Sequence, residues 1–417
     1  MNTNVLPNMI DRNPVTMPLE EIDISYIDLW KKDAKWPFFK RLRDDAPVHY
    51  CRNSEYGAFW SITRFEDIME VEKNWEVFSS YPRISIGDPV EGSTFSTPTF
   101  IAMDPPTHDE QRKTVQGVVA PQNLKQLEAT IRSRAAQILD DLPLGETFNW
   151  VDRVSVELTT QMLATLFDFP FEDRSKLTRW SDIVFARLGE GIIDSHEQRQ
   201  EELMECLAYF TRLWKERENN PVGNDFISMM IRGDATRNLS PQEYLGNILL
   251  LIVGGNDTTR NSISGGVLAL NQHPEEYQKL RDNPDVIPNM VSEIIRWVTP
   301  LAHMRRTVTK DYEFKGQQMK AGDKVIMWYA SGNRDERSIK DPERFFVDRE
   351  RARNHISLGF GLHRCMGNRM AEMQLRVLWE EIQQRFDRIE VMGPEVRTPS
   401  CFVHGYIDLP VRLHAKT

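Results

Sequence analysis

Hydrophobic residues recur at three-to-four spacing along much of the chain, with polar residues between them. Four successive segments show this pattern: residues 124–142, 154–167, 174–188 and 197–218. The spacing predicts amphipathic helices, and because only short polar gaps separate them, helix is expected to pack on helix. Alternation at 48–51 and 58–62 predicts paired strands, with a hairpin within 312–330 and terminal strands within 401–413. We therefore expect a mostly α fold with small β-sheets.

One predicted helix is much longer than the others. Ser240-Pro241-Gln242-Glu243 is a capping box with proline in the first helical position, and the helical pattern continues to about residue 272. A helix of roughly 30 residues spans on the order of 45 Å. Its middle, Gly254-Gly255-Asn256-Asp257-Thr258-Thr259, consists mainly of poor helix formers. Such a local conflict within a strong element indicates a functional site; the alternative is a kinked core helix with a Ser/Thr back-bond.

A glycine-rich loop carries a single cysteine just before another predicted helix. Its sequence is Leu358-Gly359-Phe360-Gly361-Leu362-His363-Arg364-Cys365-Met366-Gly367. The two inner glycines indicate a sharp turn or close approach to a large flat group. A helix starting right after Cys365 would favour thiolate, the form that binds metal. The alternative is a free buried cysteine.

Composition narrows the classes of protein that fit. The chain has 417 residues, a net charge of -10 and four well-separated cysteines without zinc spacing. The negative charge argues against nucleic acid as main partner, and no apolar run reaches the ~18 residues of a membrane span. We expect a cytoplasmic protein without a signal segment. Residues 1–20 are read as a loose arm and 21–417 as a single domain.

The cysteine loop resembles the haem-binding loop of the cytochrome P-450 superfamily, in which the cysteine is the proximal ligand of haem iron. The family usually has Phe where this chain has Leu358, a departure that bears on reduction potential more than on ligation. The resemblance covers nearly the whole chain from about residue 39, with its motifs in the family's order. It implies a cytochrome P-450 fold, in which the long central helix crosses a buried haem b (iron protoporphyrin IX).

The resemblance also implies roles for individual residues around the cofactor. Cys365 would bind the iron, and His108, Arg112, Arg306 and His363 would bind the haem, the arginines and His108 at its propionates. His108 and Arg112 are one helical turn apart on one face. On spacing alone, a solvated His/Arg face is the alternative for that pair.

Two further motifs complete the resemblance. Asp257 and Thr258 match the family's acid–alcohol pair, which delivers protons during oxygen activation. Glu293 and Arg296, three residues apart on a predicted helix, match its Glu-x-x-Arg motif, and Arg349 matches the third member. We interpret this triad as structural.

The predicted activity is insertion of one atom of O2 into a C–H bond of a small hydrophobic substrate. Segments 100–125, 249–266, 290–306 and 327–337 look like the bacterial alkane-terminal hydroxylase branch, which implies terminal (omega) hydroxylation of medium-chain n-alkanes or fatty acids. The chain has no flavin or iron–sulfur segment, so an external ferredoxin and an NAD(P)H-dependent ferredoxin reductase are expected to supply electrons. The alternatives are a cytochrome P-450 hydroxylase of another substrate such as a terpene, a peroxide-driven haem enzyme and a non-enzymatic haem sensor.

The substrate is expected to lie in a narrow apolar tube. The long Pro- and Gly-containing stretch 78–100 is read as a ligand-facing loop, because loops of this length are usually functional. The candidate walls are Ile84, Ile86, Phe95, Phe100, Leu250, Val253, Gly254, Leu301, Ala302, Met304, Phe402 and Val403. The alternative for many of them is that they simply fill the core.

Overall fold

The computed structural model describes residues 8–88 and 95–416. Within these residues the α-helices are α1 Ile27–Lys31, α2 Trp36–Asp45, α3 Phe65–Lys73, α4 Thr107–Val115, α5 Pro121–Asp140, α6 Glu157–Phe167, α7 Ser175–Phe185, α8 His196–Arg217, α9 Phe226–Arg232, α10 Pro241–Gln272, α11 Pro274–Asp282, α12 Ile287–Val298, α13 Tyr329–Gly332 and α14 Asn368–Arg385. The strands are β1 Val48–Cys51, β2 Phe59–Ile62, β3 Phe78–Ser79, β4 Thr147–Asn149, β5 Met304–Val308, β6 Tyr312–Phe314, β7 Gln317–Met319, β8 Lys324–Met327, β9 Phe386–Val391, β10 Val396–Arg397, β11 Tyr406–Asp408 and β12 Pro410–Ala415.

The fold is mostly α with small sheets, as the hydrophobic pattern predicts. The four predicted helices correspond to α5, α6, α7 and α8, and a π-helical segment, Val151–Val156, leads into α6. Their apolar faces join those of α10, α12 and α14 in the largest cluster of buried side chains. Helix therefore packs directly on helix around α10.

The long helix α10 begins as its sequence predicts. The Ser240 side chain accepts a hydrogen bond from the Glu243 amide, and the Glu243 carboxylate accepts from the Ser240 amide, which completes the capping box. Most α10 side chains are buried. At Gly246 a Cβ would lie 2.0 Å from the Pro98 carbonyl oxygen, so a glycine is needed where the loop before Phe100 crosses the helix.

The main sheet has the strand order β1-β2-β8-β5-β3. The β1–β2 pair is antiparallel, as predicted, and β8 lies parallel to β2. The predicted hairpin within 312–330 is only partly correct. The hairpin consists of β6 and β7, whereas β8 leaves it to join the main sheet and α13 follows. At the C-terminal end, β4, β12 and β9 form a separate antiparallel sheet.

The N-terminal segment is more ordered than its low periodicity suggests. Residues 1–7 lie outside the described residues, but Met9 and Met17 are buried in a second hydrophobic cluster. The interpretation of residues 1–20 as a loose arm is therefore wrong for residues 9–20. These two methionines pack with Trp30 and Phe39, contacts that sequence periodicity does not reveal. In the described part of the chain, no helix combines the length and apolarity needed to cross a membrane.

Candidate active site

The middle of α10 leaves open space beside its backbone. Gly254 is exposed although most of its helix is buried, and a Cβ on it would meet no heavy atom within 4 Å. One turn further on, the Thr258 hydroxyl donates to the Gly254 carbonyl over 3.0 Å, a back-bond typical of Thr in helices. Gly255 is different, because its Cβ would lie 2.9 Å from the Leu163 side chain of α6. Gly254 and Thr258 therefore share one open side of the helix.

Asp257 is buried in a cluster of charges between α10 and α7. Its Oδ1 accepts from the Ser181 hydroxyl over 3.1 Å and lies 2.8 Å from Arg260 Nη2, which also lies 2.8 Å from Asp182 Oδ1. Burial raises the pKa of Asp257; Arg260 opposes this effect and Asp182 adds to it. The predicted acid is thus held by Arg260 and α7, while the predicted alcohol is held by the Gly254 carbonyl.

Cys365 lies at the end of a tight loop, and it is exposed whereas Cys51, Cys206 and Cys401 are buried. Gly359 and Gly361 have φ values of 67° and 65°, the left-handed region that favours glycine. Their turns let the Cys365 amide donate to the Leu358 carbonyl over 2.7 Å. The loop therefore holds the sulfur in a defined position.

The helix after Cys365 begins slightly later than the sequence predicts. The helix α14 begins at Asn368, with Gly367 as its N-cap, so Cys365 lies two residues before the cap. Desolvation by the surrounding protein atoms raises the pKa of the Cys365 thiol. The Gly367 amide and the Arg112 and Arg364 side chains oppose that rise. A coordinated metal ion deprotonates a thiol outright, so a bound iron would favour the thiolate.

Two histidines from distant parts of the sequence meet beside this loop. The rings of His108 and His363 are 4.3 Å apart at an angle of 65°. Each ring uses one nitrogen: His108 Nδ1 lies 2.8 Å from Asp109 Oδ1, and His363 Nε2 lies 2.8 Å from Ser80 Oγ. The remaining nitrogens, His108 Nε2 and His363 Nδ1, are buried without a partner among the described residues.

The predicted haem-binding arginines lie close by. Arg112 Nη2 donates to the Arg364 carbonyl over 2.5 Å, next to Cys365. Arg306 Nη2 donates to Glu72 Oε2 over 2.5 Å in a buried ion pair. The Tyr329 hydroxyl donates to the other oxygen of Glu72. Arg306 thus has a carboxylate partner within the chain. The sequence did not reveal Glu72, which is an unremarkable member of the α3 pattern.

The residues present fit a haem. Burial, followed by the charges of Arg306, His108 and Arg112, lowers the pKa of His363 to about 2, so this ring is neutral and the arginines supply the positive charge that carboxylates would meet here. A haem propionate could accept from Arg112, and from His363 Nδ1 in the tautomer that carries its proton there. His108 Nε2 could donate only from a protonated ring, because Nδ1 already donates to Asp109. The accessible Cys365 sulfur would bind the iron, and the open side of α10 leaves room beside its backbone.

The proposed structural triad comes together in the core. Arg296 bonds both oxygens of Glu293, with Nε at 2.7 Å and Nη2 at 2.8 Å, and Arg349 Nε lies 2.8 Å from Glu293 Oε2. Arg296 also donates to the carbonyls of Asn333 and Pro342, each over 2.9 Å. These bonds tie α12 to the irregular segment that leads toward the cysteine loop.

Several of the predicted substrate walls lie around the same region. Leu250, Val253 and Gly254 share one face of α10 by their spacing. The Phe100 ring lies 6.3 Å from that of His108, and the Phe100 amide donates to Asn247 of α10 over 2.9 Å. These contacts place the end of the 78–100 loop beside a predicted haem ligand.

The remaining walls form two groups. Leu301 pairs with Val403, and the Ala302 amide donates to the Phe402 carbonyl over 2.9 Å. Met304 opens β5, and the Ile84 carbonyl accepts from the Arg305 amide over 2.7 Å. The structure brings these segments together, and their contact with substrate stays a prediction.

Two other candidates have surroundings of a different kind. Ile86 is buried in the second hydrophobic cluster together with Ala302 and Cys401. Phe95 lines a cavity of about 310 Å³ with Met204, Leu207 and Leu245. Leu245 precedes Gly254 by nine residues, or roughly 14 Å along the helix axis. Phe95 therefore lies near the N-terminal end of α10, away from Gly254.

Comparisons with known proteins identify the family. The Cytochrome P450 family profile matches residues 135–403. Linalool 8-monooxygenase of Pseudomonas putida is 33% identical over 408 residues, which cover 95% of this chain and 100% of that protein. Methyl-branched lipid omega-hydroxylase of Mycobacterium bovis is 30% identical over 425 residues, covering 99% of each chain. The structure of cytochrome P450-153 from Novosphingobium aromaticivorans superposes with a TM-score of 0.88 at 46% identity, over 94% of this chain and 99% of that one.

A cysteine loop beside two buried histidines, together with an open glycine–threonine face on a long central helix, is the arrangement expected of a haem-thiolate protein. The family match covers more than half of the sequence, and the relatives match nearly all of it. The chain belongs to the cytochrome P450 family and is a monooxygenase, which confirms the resemblance carried by its motifs.

Proposed function

We propose that this monooxygenase hydroxylates the terminal methyl group of medium-chain n-alkanes or fatty acids. The observation that carries the proposal is the direct pairing of two apolar segments, Leu301–Ala302 with Phe402–Val403, which brings four predicted substrate walls together. Support also comes from the relative named as a lipid omega-hydroxylase, which aligns with 99% of the chain. Both observations suit a slender hydrophobic substrate that enters end-on.

Selectivity for a terminal methyl group must come from positioning. A terminal C–H bond is stronger than those of its CH2 neighbours, so inherent reactivity favours the wrong carbon. A shift of about 1 Å can undo a productive alignment, so the tube must be narrow at its inner end. Each buried CH2 contributes about 0.8 kcal/mol, roughly a fourfold gain in affinity. Affinity should therefore climb with chain length until the tube is full.

The cofactor in this proposal is haem b. Cys365 would bind its iron through sulfur, and His108, Arg112, His363 and Arg306 would hold its acidic side groups. When bound, the haem supplies the activation of O2 that puts one oxygen atom into the C–H bond and releases the other as water, using two electrons and two protons. The protein has to position the substrate and deliver those protons.

Thr258 and Asp257 are the proposed proton-delivering pair. The Thr258 hydroxyl lies on the open side of α10, where it can hold a proton for transfer. Because burial raises its pKa, Asp257 can carry a proton at higher pH than an exposed carboxyl can. It directly precedes the threonine in the chain, and its carboxylate is bonded to Ser181 and Arg260.

The proposed electron donor is a small acidic ferredoxin, reduced by an NAD(P)H-dependent reductase. Lys113, Arg364 and Arg369 are exposed, and Arg364 is bonded to Arg112 next to Cys365. A local basic patch attracts an acidic partner even when the whole chain carries negative charge. Electrons would thus arrive on the cysteine side.

A second candidate is hydroxylation of a terpene alcohol. It is favoured by the relative named linalool 8-monooxygenase, which is 33% identical over 95% of this chain. The two candidates differ in substrate shape, because a branched terpene needs a wider inner end than a linear chain.

The experiment is turnover by the haem-loaded enzyme with NADH, a ferredoxin and its reductase. Octane, decanoic acid and linalool are compared by kcat/KM for product formation. Faster turnover of the linear substrates supports the proposal, whereas a preference for linalool supports the second candidate. Absence of substrate-dependent turnover with all three would contradict both candidates and point to a substrate of another class.

A further inference from the structure

Two short segments, residues 300–303 after α12 and residues 401–404 before β11, run antiparallel to each other. We call this pair of segments the clip. Three contacts join the segments: the His404 amide to the Pro300 carbonyl at 2.9 Å, the Ala302 amide to the Phe402 carbonyl at 2.9 Å, and an antiparallel bridge between Leu301 and Val403.

The backbone ladder of the clip ends after these contacts. The Ala302 carbonyl accepts from the Ala330 amide over 3.1 Å, and the Phe402 amide donates to Ser400 Oγ over 3.1 Å. From Met304 onward the chain pairs with β8 instead. The backbone groups that would form the next rung between the segments are therefore occupied elsewhere.

The side chain of His303 supplies the missing connection. Its Nδ1 lies 3.0 Å from the Cys401 carbonyl oxygen, which can only accept, so Nδ1 carries the proton and Nε2 is a bare acceptor. The residue is fully buried, and Nε2 has no partner in the described part of the chain. Burial lowers the pKa of His303 to about 3, and the bond to Cys401 only opposes this effect. The ring is therefore neutral.

The same ring orients a predicted substrate wall. Its centroid lies 5.1 Å from that of Phe402, at 61°, and 4.8 Å from that of Trp328, at 68°. The Phe402 ring in turn lies 4.8 Å from Phe185, the last residue of α7. A buried acceptor without a partner, such as His303 Nε2, is unfavourable. An apolar side chain could fill the same space without this cost. What it would lose is the bond to Cys401.

We propose that His303 is a specificity-determining positioning residue, which fixes the spacing of the two wall segments by bonding the Cys401 carbonyl. This inference rests on the proposed function, in which Leu301, Ala302, Phe402 and Val403 lie side by side in one wall at the inner end of the substrate tube. Without the bond, the 401–404 segment keeps its backbone contacts but Phe402 can tilt. The substrate end is then held less tightly, and oxidation moves to the adjacent CH2 groups.

The test compares His303→Asn with His303→Leu. These side chains have nearly the same shape, but only the asparagine amide can donate to the Cys401 carbonyl. With the best substrate of the wild type, His303→Leu should lower the ratio of terminal to subterminal alcohol about tenfold, within the range expected for a displacement below 1 Å. His303→Asn should stay within about twofold of the wild type by the same reasoning. Equal ratios in the two variants would overturn the proposal.

A second readout does not depend on the substrate. In the haem-loaded enzymes, deuterium exchange at the amides of residues 401–404 should be faster in His303→Leu than in His303→Asn. If the leucine variant does not fold, His303→Phe replaces it, because it fills the ring volume without a donor. Equal exchange in the two variants would overturn the proposed role of His303 in the clip, even if the wild type is a terminal hydroxylase. Conversely, a wild type that oxidises internal carbons would overturn the proposed function. The exchange difference would then still show that the His303 bond holds the two segments of the clip together.

Discussion

Replacement of Glu293 by Gln is expected to destabilise the protein and to loosen its cysteine loop. Glu293 is fully buried and its carboxylate is bonded to both Arg296 and Arg349. Glutamine keeps the shape of the side chain but removes the negative charge that these two arginines share. Loss of one partner from a buried ion pair typically costs about 3–5 kcal/mol, because the remaining charges stay buried and unpaired.

This cost predicts a measurable change in melting temperature. For a chain of 417 residues, an unfolding entropy of about 2.1 cal/mol/K per residue gives roughly 0.9 kcal/mol/K. Division of about 3–5 kcal/mol by this entropy predicts a decrease of about 3–6 °C. The size of the decrease follows from the burial of the triad and would be far smaller for a pair at the surface.

The effect should reach the cysteine loop through hydrogen bonds. Arg296 Nη1 donates to the Asn333 carbonyl over 2.9 Å. The Asn333 side chain accepts from the Ile356 amide over 2.8 Å and donates to Ser357 Oγ over 2.7 Å. Ser357 leads directly into the loop that carries Cys365. A displaced Arg296 should therefore reduce the fraction of protein that retains haem with thiolate ligation.

The assay is thermal unfolding of the haem-loaded protein, together with the reduced-plus-CO absorption spectrum. The matched control is Glu216→Gln, because Glu216 pairs with Arg212 at 3.6 Å and both side chains are more than half exposed. That change should shift the melting temperature by less than about 1 °C. Equal shifts in the two variants, or an undiminished thiolate-type spectrum in Glu293→Gln, would refute the reasoning.

Three other changes test the site directly. Cys365→Ser should abolish the thiolate-type CO spectrum and hydroxylation, whereas serine at any of the three buried cysteines should leave both intact; retention of both in Cys365→Ser would identify another ligand. Thr258→Ala should keep NADH oxidation but divert the product toward hydrogen peroxide, because proton delivery is impaired; unchanged coupling of NADH to alcohol would exclude this role. Reduction by an acidic ferredoxin should slow as salt rises from low to physiological concentration, and Arg369→Gln should weaken that dependence; a rate independent of salt would argue against the basic patch.

Local signals in the sequence predicted the elements that depend on neighbouring residues. The start of α10 follows from Ser240 and Glu243, whose reciprocal bonds need only one turn of helix. The cysteine loop follows from Gly359 and Gly361, since both adopt the left-handed conformation. The family match then confirmed the fold that these motifs implied.

Contacts between distant residues could not be predicted in the same way. Ser181 bonds Asp257 across 76 positions and Glu72 bonds Arg306 across 234, so both partners emerge only from tertiary packing. Arg260 is different, because its i+3 spacing from Asp257 was a usable signal. The helix predicted to start right after Cys365 begins three residues further along, at Asn368, because residues 366 and 367 form a turn.

The position of the oxygen atom in the product tests terminal hydroxylation most directly. The measurement is the distribution of octanol isomers formed from n-octane by the haem-loaded enzyme with NADH, ferredoxin and reductase. We predict 1-octanol as the main product, because the proposed narrow apolar tube would hold the chain end-on. A mixture dominated by 2-, 3- and 4-octanol would contradict end-on binding and leave only a monooxygenase without terminal selectivity.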